Sequence, residues 1–248
     1  MISVCMTTYN GQKFKKKQLD SILCQLSESD EIIISDDGST DDTIKIINSY
    51  HDKRIKLINH IKNVSLGQEN KFKNFYLVSS NFENALKFAT GDYIFLADQD
   101  DIWKHNKVSL CVEYLKDNDI IMSNFSLIDE NDNIYKEDYY DASPISKYLL
   151  INILRSHFLG CCMAFRKRVL DYALPFPKKL IGHDFWIGCL GVYRFKFSFI
   201  KESLHFYRRT NINVSTSTGV SKNSIFQRIN YRICFLIKIL IHIIRKMF

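Results

Sequence analysis

Gly91-Asp92-Tyr93-Ile94-Phe95-Leu96-Ala97-Asp98-Gln99-Asp100-Asp101-Ile102-Trp103 is the stretch on which the fold turns. Tyr93 to Ala97 form an unbroken run of apolar and aromatic side chains, the pattern of a strand covered on both faces. Three carboxylates follow it within four residues. Moving back along the chain, Ser80-Asn81-Phe82-Glu83 reads as a capping box opening a helix that runs through Ala85, Leu86 and Ala89 to Gly91. Earlier strands are expected at Ile55-Lys56-Leu57-Ile58, at Glu31-Ile32-Ile33-Ile34-Ser35 and at Ile2-Ser3-Val4-Cys5-Met6. Leu19, Ile22, Leu23 and Leu26, then Ile44, Ile47 and Tyr50, mark helix faces between them. This alternation predicts an α/β fold with a mostly parallel central sheet flanked by helices and a Rossmann-like nucleotide half. Ligands of such sheets sit beyond the carboxyl ends of the strands, so the residues after each strand are the candidates for function.

The second half is less regular. Val108, Cys111, Val112 and Leu115 predict a helix, and Ile120-Ile121-Met122 a strand. Residues 129–143 read as an exposed acidic loop, and an aromatic, basic region runs from Pro175 and Pro177 to about residue 210. This half is expected to complete the same domain. With 248 residues, 46% hydrophobic and 25% charged, and only three prolines and nine glycines, disordered, collagen-like and low-complexity chains are excluded. A formal charge of +7 is too small to mark a nucleic-acid binder, and no nucleic-acid partner is expected; a phosphorylated substrate or an anionic membrane face fits it equally. The seven cysteines include no C-x-x-C pair, which points to buried thiols in a reducing compartment. Met1 leads straight into strand-like sequence, so no secretory signal is expected, and no apolar run reaches the ~18 residues of a membrane span. The expected location is cytoplasmic.

Three acidic groups fall at strand ends or beside glycines: Ser35-Asp36-Asp37-Gly38-Ser39-Thr40-Asp41, Asp98-Gln99-Asp100-Asp101, and Gly182-His183-Asp184-Phe185-Trp186. A turn and a helix cap at Thr40 or Asp41 account for one acid of the first group, not three. The carboxylates of the second repel one another unless a cation sits between them, and an oxygen-rich Asp-x-Asp suits Mg²⁺ or Mn²⁺ holding a diphosphate. Asp184 reads either as an ordinary helix-start acid or as a base. His183 is expected to be structural or on the surface. Trp103 and Trp186 are expected in the core rather than stacked on sugars. Lys13, Lys15, Lys16 and Lys17 are expected to be a solvated helix face.

Taken in order, Ser3-Val4-Cys5-Met6-Thr7-Thr8-Tyr9-Asn10-Gly11, the Asp36-Asp37 block, the Gly91–Trp103 block, Gly160-Cys161-Cys162-Met163-Ala164-Phe165 and His183-Asp184-Phe185-Trp186-Ile187 resemble the family-two glycosyltransferases of the GT-A fold. The resemblance covers about residues 1–210. Within the family, the Asp-Gln-Asp-Asp-Ile-Trp form is most similar to rhamnosyltransferases of bacterial surface polysaccharides. The resemblance implies a nucleotide-sugar-binding half at 1–101, an acceptor-binding half at 102–210 and a tail at 211–248. It implies inverting transfer of a sugar from a UDP- or dTDP-linked donor, dTDP-rhamnose among them, to a hydroxyl of a glycan or lipid-linked acceptor. Thr7 and Tyr9 would line the nucleotide pocket, and Asp37 would accept the ring N–H of uracil or thymine. Asp98 would lie by the ribose and the metal, Asp100 would ligate Mn²⁺ or Mg²⁺ directly, and Asp184 would be the general base. The chain departs from the pattern twice. Lys71-Phe72-Lys73-Asn74-Phe75-Tyr76 separates Asn63-Val64-Ser65-Leu66-Gly67 from Ser80, an insertion near the donor site (63–80). Thr210 stands where many relatives carry the His of Tyr-Arg-x-His, which leaves Arg208 or Arg209 to meet the diphosphate.

On a helix at about 100° per residue, Arg228, Arg232, Lys238, His242, Arg245 and Lys246 of residues 225–248 share an arc of about 140°, with nearly everything else apolar and no acid. This is the pattern of an interfacial anchor on the inner face of the cell membrane; the same helix could instead pack on its own domain or in an oligomer. Two other functions compete. A phosphohydrolase of the haloacid-dehalogenase type also places Asp-x-Asp after a strand, but an early one, with Thr or Val where this chain has Asp101. An inactive membrane-bound scaffold would have no need of Asp98, Asp100 and Asp184. No G-x-G-x-x-G follows the first strand, so a nicotinamide-binding domain is not expected.

Overall fold

The chain opens with β1 (Ile2–Thr8), α1 (Gln12–Leu23), β2 (Glu31–Asp36), α2 (Thr43–Asn48), β3 (Ile55–Asn59), α3 (Lys73–Lys87) and β4 (Tyr93–Ala97). The structure, a computed structural model, describes residues 1–62, 72–155, 157–210 and 224–247. The four strands pair in parallel in the order β3-β2-β1-β4. Their unbroken apolar runs have a direct cause: both faces are covered. Cys5, Ile33, Ile94 and Leu96 join one core with Phe82, Ala85 and Leu86 of α3. Val4, Met6, Ile32, Ile34 and Phe95 join the other with Leu19 and Ile22 of α1. Each such buried side chain contributes about 1.5–3 kcal/mol.

The second half adds β5 (Ile102–Trp103), α4 (Lys107–Asp117), β6 (Ile120–Ile128), β7 (Ile134–Lys136), α5 (Leu149–Arg155), a 3₁₀ turn (Gly160–Cys162), β8 (Met163–Arg166), α6 (Lys167–Ala173), α7 (His183–Arg194), β9 (Phe197–Arg208) and α8 (Ile225–Arg245). β8 lies antiparallel between β4 and β6, β9 runs parallel to β6, and β5 and β7 are antiparallel partners of β9 and β6. The parallel pattern therefore holds through β4 and becomes mixed beyond it. β1 has β2 on one side and β4 on the other, so the strand order reverses there and opens a crevice above the carboxyl ends of both.

Several expectations need correcting. Ser80 does not cap a helix: α3 begins at Lys73, and the Ser80 hydroxyl donates to the Leu77 carbonyl from within it. Glu83 instead accepts from the Phe176 amide and pairs with Lys87. Residues 73–80 of the expected insertion thus extend α3, and residues 63–71 lie outside those described. The acidic stretch 129–143 carries β7. Lys15 is no part of a solvated face; it is fully buried, while Lys13, Lys16 and Lys17 pair with Glu130, Asp20 and Asp132. Trp103 and Trp186 are core residues, as expected.

α8 opens with a capping box made by Ser224 and Gln227. It docks by Phe235, Ile239, His242 and Ile243, and its polar arc takes part in the docking. Lys238 donates to the carbonyls of Lys178 and Lys179, His242 bonds to the Tyr172 carbonyl and Lys246 to that of Asp171. Ile229, Ile233, Ile237, Leu240, Ile241 and Ile244 are left facing outward. No helix among the described residues is long and apolar enough to cross a membrane.

Candidate active site

The first acidic group separates into three jobs. Asp36 builds the turn after β2, accepting from the amides of Gly38 and Ser39 at 2.9 Å each. Asp41 starts α2 by accepting from the Thr43 amide at 3.0 Å. Asp37 lies just past the carboxyl end of β2, its amide donating to the Thr8 carbonyl of β1. Its Oδ1 lies 2.7 Å from His60 Nδ1, and its Oδ2 is 3.4 Å from Lys62 Nζ. His60 follows β3 and is oriented from behind by the Ser80 hydroxyl, 3.0 Å from Nε2. Lys62 also lies over the exposed ring of Tyr9, 4.5 Å from its centre. Thr7 sits beside Thr8 at the end of β1, half-buried.

Gln99, between the two acids of the second group, ties the β4 end to the β1 end. Its Oε1 accepts from the Thr8 hydroxyl at 2.8 Å and the Tyr9 amide at 2.9 Å, and its Nε2 donates to the Tyr9 carbonyl. A side chain at Gly11 would come within 2.4 Å of that Oε1 and displace the Gln99 amide from its bonds to Thr8 and Tyr9. Asp101 turns away from the crevice: Oδ2 meets His205 Nε2 at 2.7 Å and Oδ1 accepts from the Arg208 amide at 2.8 Å. Lys107 Nζ lies 3.1 Å from the other ring nitrogen of His205. Asp101, Cys161 and His205 hold ligand atoms within 4.8 Å of one another. With its hydrogen bonds already made and an ammonium alongside, this cluster is a buried polar chain bracing the loop rather than a cation cage.

Asp98 and Asp100 remain. Burial, and then the charges of Asp101, Asp100 and Asp184, push the Asp98 carboxyl well above the usual range. Burial and Asp101 raise Asp100 to about 7, against the pull of Lys15 and Arg208. Lys15 lies under the same acids; burial lowers it to about 7, although Asp100, Asp36, Asp98 and Asp41 all oppose the shift. Carboxylates that repel one another this strongly, with hard oxygen donors turned to a crevice, fit a small divalent cation. Asp98 and Asp100 would hold it.

Asp184 is the second residue of α7. Its Oδ2 accepts from the Gly160 amide at 3.2 Å and its Oδ1 from the Phe185 amide at 2.8 Å. A Cβ on Gly160 would meet Asp184 Cβ at 3.2 Å and His183 Nε2 at 3.1 Å, which explains the glycine beside the paired cysteines. His183 is structural: it is buried, stacked on Phe82 at 3.8 Å, and burial lowers it to about 4. The Asp184 charge is among those that raise the Asp98 carboxyl, so the acids of β4 and α7 face one site.

Arg208 occupies a different place from the one its sequence position implies. It is fully buried; Nε donates to the Asp100 carbonyl and Nη1 to the Asp129 carbonyl, both at 2.7 Å. Asp132 pairs with it and the Phe14 ring lies 4.3 Å from its guanidinium carbon. It braces the Asp100 loop. Arg209 and Thr210 are half-buried beyond it. Sequence reasoning missed Lys15, Gln99, His60 and His205. For Lys15 a signal existed, since it lies four residues before Leu19 and seven before Ile22 on the buried stripe of α1.

A family model described as glycosyl transferase family 2 matches residues 3–173. The chain is 36% identical over 192 residues to the dTDP-rhamnosyl transferase RfbG of Shigella flexneri, covering 72% of this chain and 58% of RfbG. It is 27% identical over 195 residues to the UDP-Glc:alpha-D-GlcNAc-diphosphoundecaprenol beta-1,3-glucosyltransferase WfgD of Escherichia coli, covering 77% and 70%. In fold it is similar to residues 1–349 of S. aureus TarS, solved with UDP-GlcNAc, with a TM-score of 0.69 at 18% identity over 94% of this chain and 66% of that one. A mannosyltransferase of Pyrobaculum calidifontis, solved with GDP-Man and Mn²⁺, gives 0.58 at 17% identity over 86% and 58%. The chain therefore spans 58–70% of the length of these proteins.

Proposed function

Because the chain belongs to glycosyl transferase family 2, we propose that it transfers a sugar from a UDP- or dTDP-linked donor to a hydroxyl of a glycan or lipid-linked acceptor, with inversion, in the synthesis of a surface polysaccharide. The observation that carries this reading is the meeting of Asp98, Asp100 and Asp184 at the crevice where the strand order reverses, with Asp37 just past the neighbouring carboxyl end of β2. Asp37, with Oδ1 fixed by His60, presents an acceptor that suits the ring N–H of uracil or thymine, and the exposed ring of Tyr9 offers stacking area beside it. Mn²⁺ or Mg²⁺ on Asp98 and Asp100, when bound, neutralises the diphosphate leaving group. Asp184 would accept the proton of the acceptor hydroxyl as that oxygen attacks from the opposite face. One displacement needs no second carboxylate nucleophile. Gln99 keeps the base-reading and phosphate-holding ends in register, and Arg208 keeps Asp100 in place. RfbG and WfgD support dTDP- and UDP-linked donors as the classes to try first. The haloacid-dehalogenase alternative is not favoured, since family membership accounts for the same acids.

The enzyme would work on the cytoplasmic face of the membrane, held there by α8. The apolar residues it turns outward support this, as do Leu150 and Leu154, exposed on the adjacent α5. Flotation with anionic vesicles tests it; Ile233→Glu with Ile237→Glu should abolish binding, and flotation unaffected by the pair would rule the anchor out. Donor binding is tested by thermal shift with UDP, dTDP, GDP and ADP, each with Mn²⁺ and with EDTA. A ligand at a hundred times its dissociation constant stabilises by ~2.7 kcal/mol. Metal-dependent stabilisation by UDP or dTDP, lost in Asp37→Ala and Asp100→Ala, is the expected result. A folded sample that responds to none of the four would overturn the reading.

A further inference from the structure

Lys15 is a buried charge that the chemistry above leaves without a task. It lies on the core stripe of α1 with Leu19 and Ile22 and is fully buried. Its ammonium makes one hydrogen bond among the described residues, to the Met6 thioether at 3.3 Å. A thioether is a weak acceptor. Leucine or methionine would fill the position without taking a charge out of water, so packing does not account for the lysine.

Its surroundings do. Met6 is paired across the sheet with Ala97, the residue before Asp98. On either side of Lys15, the same face of α1 grips the acidic loop. Gln18 Nε2 donates to the Asp98 carbonyl at 2.8 Å, and Phe14 covers the guanidinium of Arg208, which holds the Asp100 carbonyl. The ammonium therefore sits beneath the loop that carries Asp98 and Asp100. Burial works against its charge, while Asp100, Asp36, Asp98 and Asp41 work for it, none of them in ion-pair contact.

Two carboxylates match a divalent cation charge for charge. With an ammonium beneath them the pair is one negative charge short, and the phosphates of a diphosphate supply it. We propose that Lys15 is the resident cation of this site: it balances Asp98 and Asp100 from below before a metal arrives and lowers their affinity for a divalent ion, so that the ion is held much more tightly with a diphosphate than without one. The proposal rests on the transferase reading above for the source of the diphosphate, and adds how metal and donor depend on each other.

The test uses the full chain with Lys15→Met, which removes the charge and keeps the bulk, and with Lys15→Gln, which removes the charge and stays polar. Mn²⁺ affinity is followed by the electron spin resonance of the free ion, with and without saturating UDP or dTDP. Without nucleotide, both variants should bind Mn²⁺ roughly tenfold more tightly than wild type. That is the part of the repulsion between an ammonium and a divalent ion that is left once a proton competes for the same carboxylates. The factor by which nucleotide tightens Mn²⁺ binding should shrink by about as much. A packing role predicts the opposite sign, since damage beneath the loop loosens the site. Unchanged or weaker Mn²⁺ binding, a rise confined to one variant, or, in a chain that binds UDP or dTDP, an unchanged factor would each overturn the proposal. The nucleotide thermal shift is read separately. An intact shift with unchanged Mn²⁺ affinity in the variants removes the Lys15 proposal and leaves the transferase reading; a rise in Mn²⁺ affinity in a chain that no nucleotide stabilises removes the transferase reading and leaves Lys15 as the resident cation.

Discussion

Arg208→Met separates two roles for one guanidinium. If Arg208 braces the Asp100 loop, its loss is felt before any donor arrives. The carbonyls of Asp100 and Asp129 each lose a 2.7 Å donor. An orphaned polar group costs about 1–3 kcal/mol. Asp132 keeps Lys17 as a partner, so the broken ion pair adds little, and methionine preserves much of the packing against Phe14. The expected destabilisation is roughly 2–5 kcal/mol, or about 10 °C in Tm for a chain of this size. Calorimetry in EDTA measures it. The loop that carries Asp100 should also bind metal less well, so the Mn²⁺ affinity of the donor-free protein, followed by the electron spin resonance of free Mn²⁺, should fall several-fold. An unchanged Tm and unchanged Mn²⁺ affinity, with a raised donor KM, would refute this reasoning and make Arg208 a diphosphate ligand.

Three further outcomes are expected. Asp184→Asn keeps the shape of the α7 start but removes the proposed proton acceptor, so kcat should fall about 10²–10⁴-fold with donor binding intact; a fall in donor affinity alone would place Asp184 outside the chemistry. Burial would raise the Glu31 carboxyl, but hydrogen bonds from Lys56, Ser3 and Thr90 outweigh it and pull it from 4.5 to about 2. Its contribution is therefore complete above the unfolded value and lost as pH falls through about 2, amounting to about 3 kcal/mol at pH 7 and about 1 at pH 3. Urea unfolding of wild type and Glu31→Gln across pH 7 to 3 should converge by about 2 kcal/mol; parallel curves would contradict it. His60→Ala removes the group that fixes Asp37, so UDP or dTDP affinity should fall roughly tenfold, while Mn²⁺ affinity without nucleotide stays unchanged.

Much of this architecture was legible because its causes are local. The apolar runs of β1, β2 and β4 have no alternation since α1 and α3 cover opposite faces, and acids at their ends stand out against such runs. What stayed hidden depends on partners distant in sequence. Nothing near His60 announces that Ser80 will orient it, or that it will meet Asp37. Ser80 and Glu83 have the spacing of a cap, but the apolar face of α3 extends back past them, and packing outweighs a local motif. Lys15 looked solvated among four neighbouring lysines, although the helical period already put it on the side of Leu19 and Ile22. Asp101 resembled its neighbours in sequence and differs from them only through His205, which arrives 104 residues later.

The amide of Gln99 carries no charge, yet it acts as a caliper. By gripping the backbone of Tyr9 from the middle of the acidic triplet, it sets the span between the β1 end, where we propose a base is read, and the β4 end, where we propose phosphates are held. A carrier with two phosphates between sugar and nucleoside matches one setting of that span. On the proposed reading, a nucleoside monophosphate carrier, shorter by one phosphate, would have to leave one end or the other unfilled, and would be discriminated against by length before any sugar is recognised.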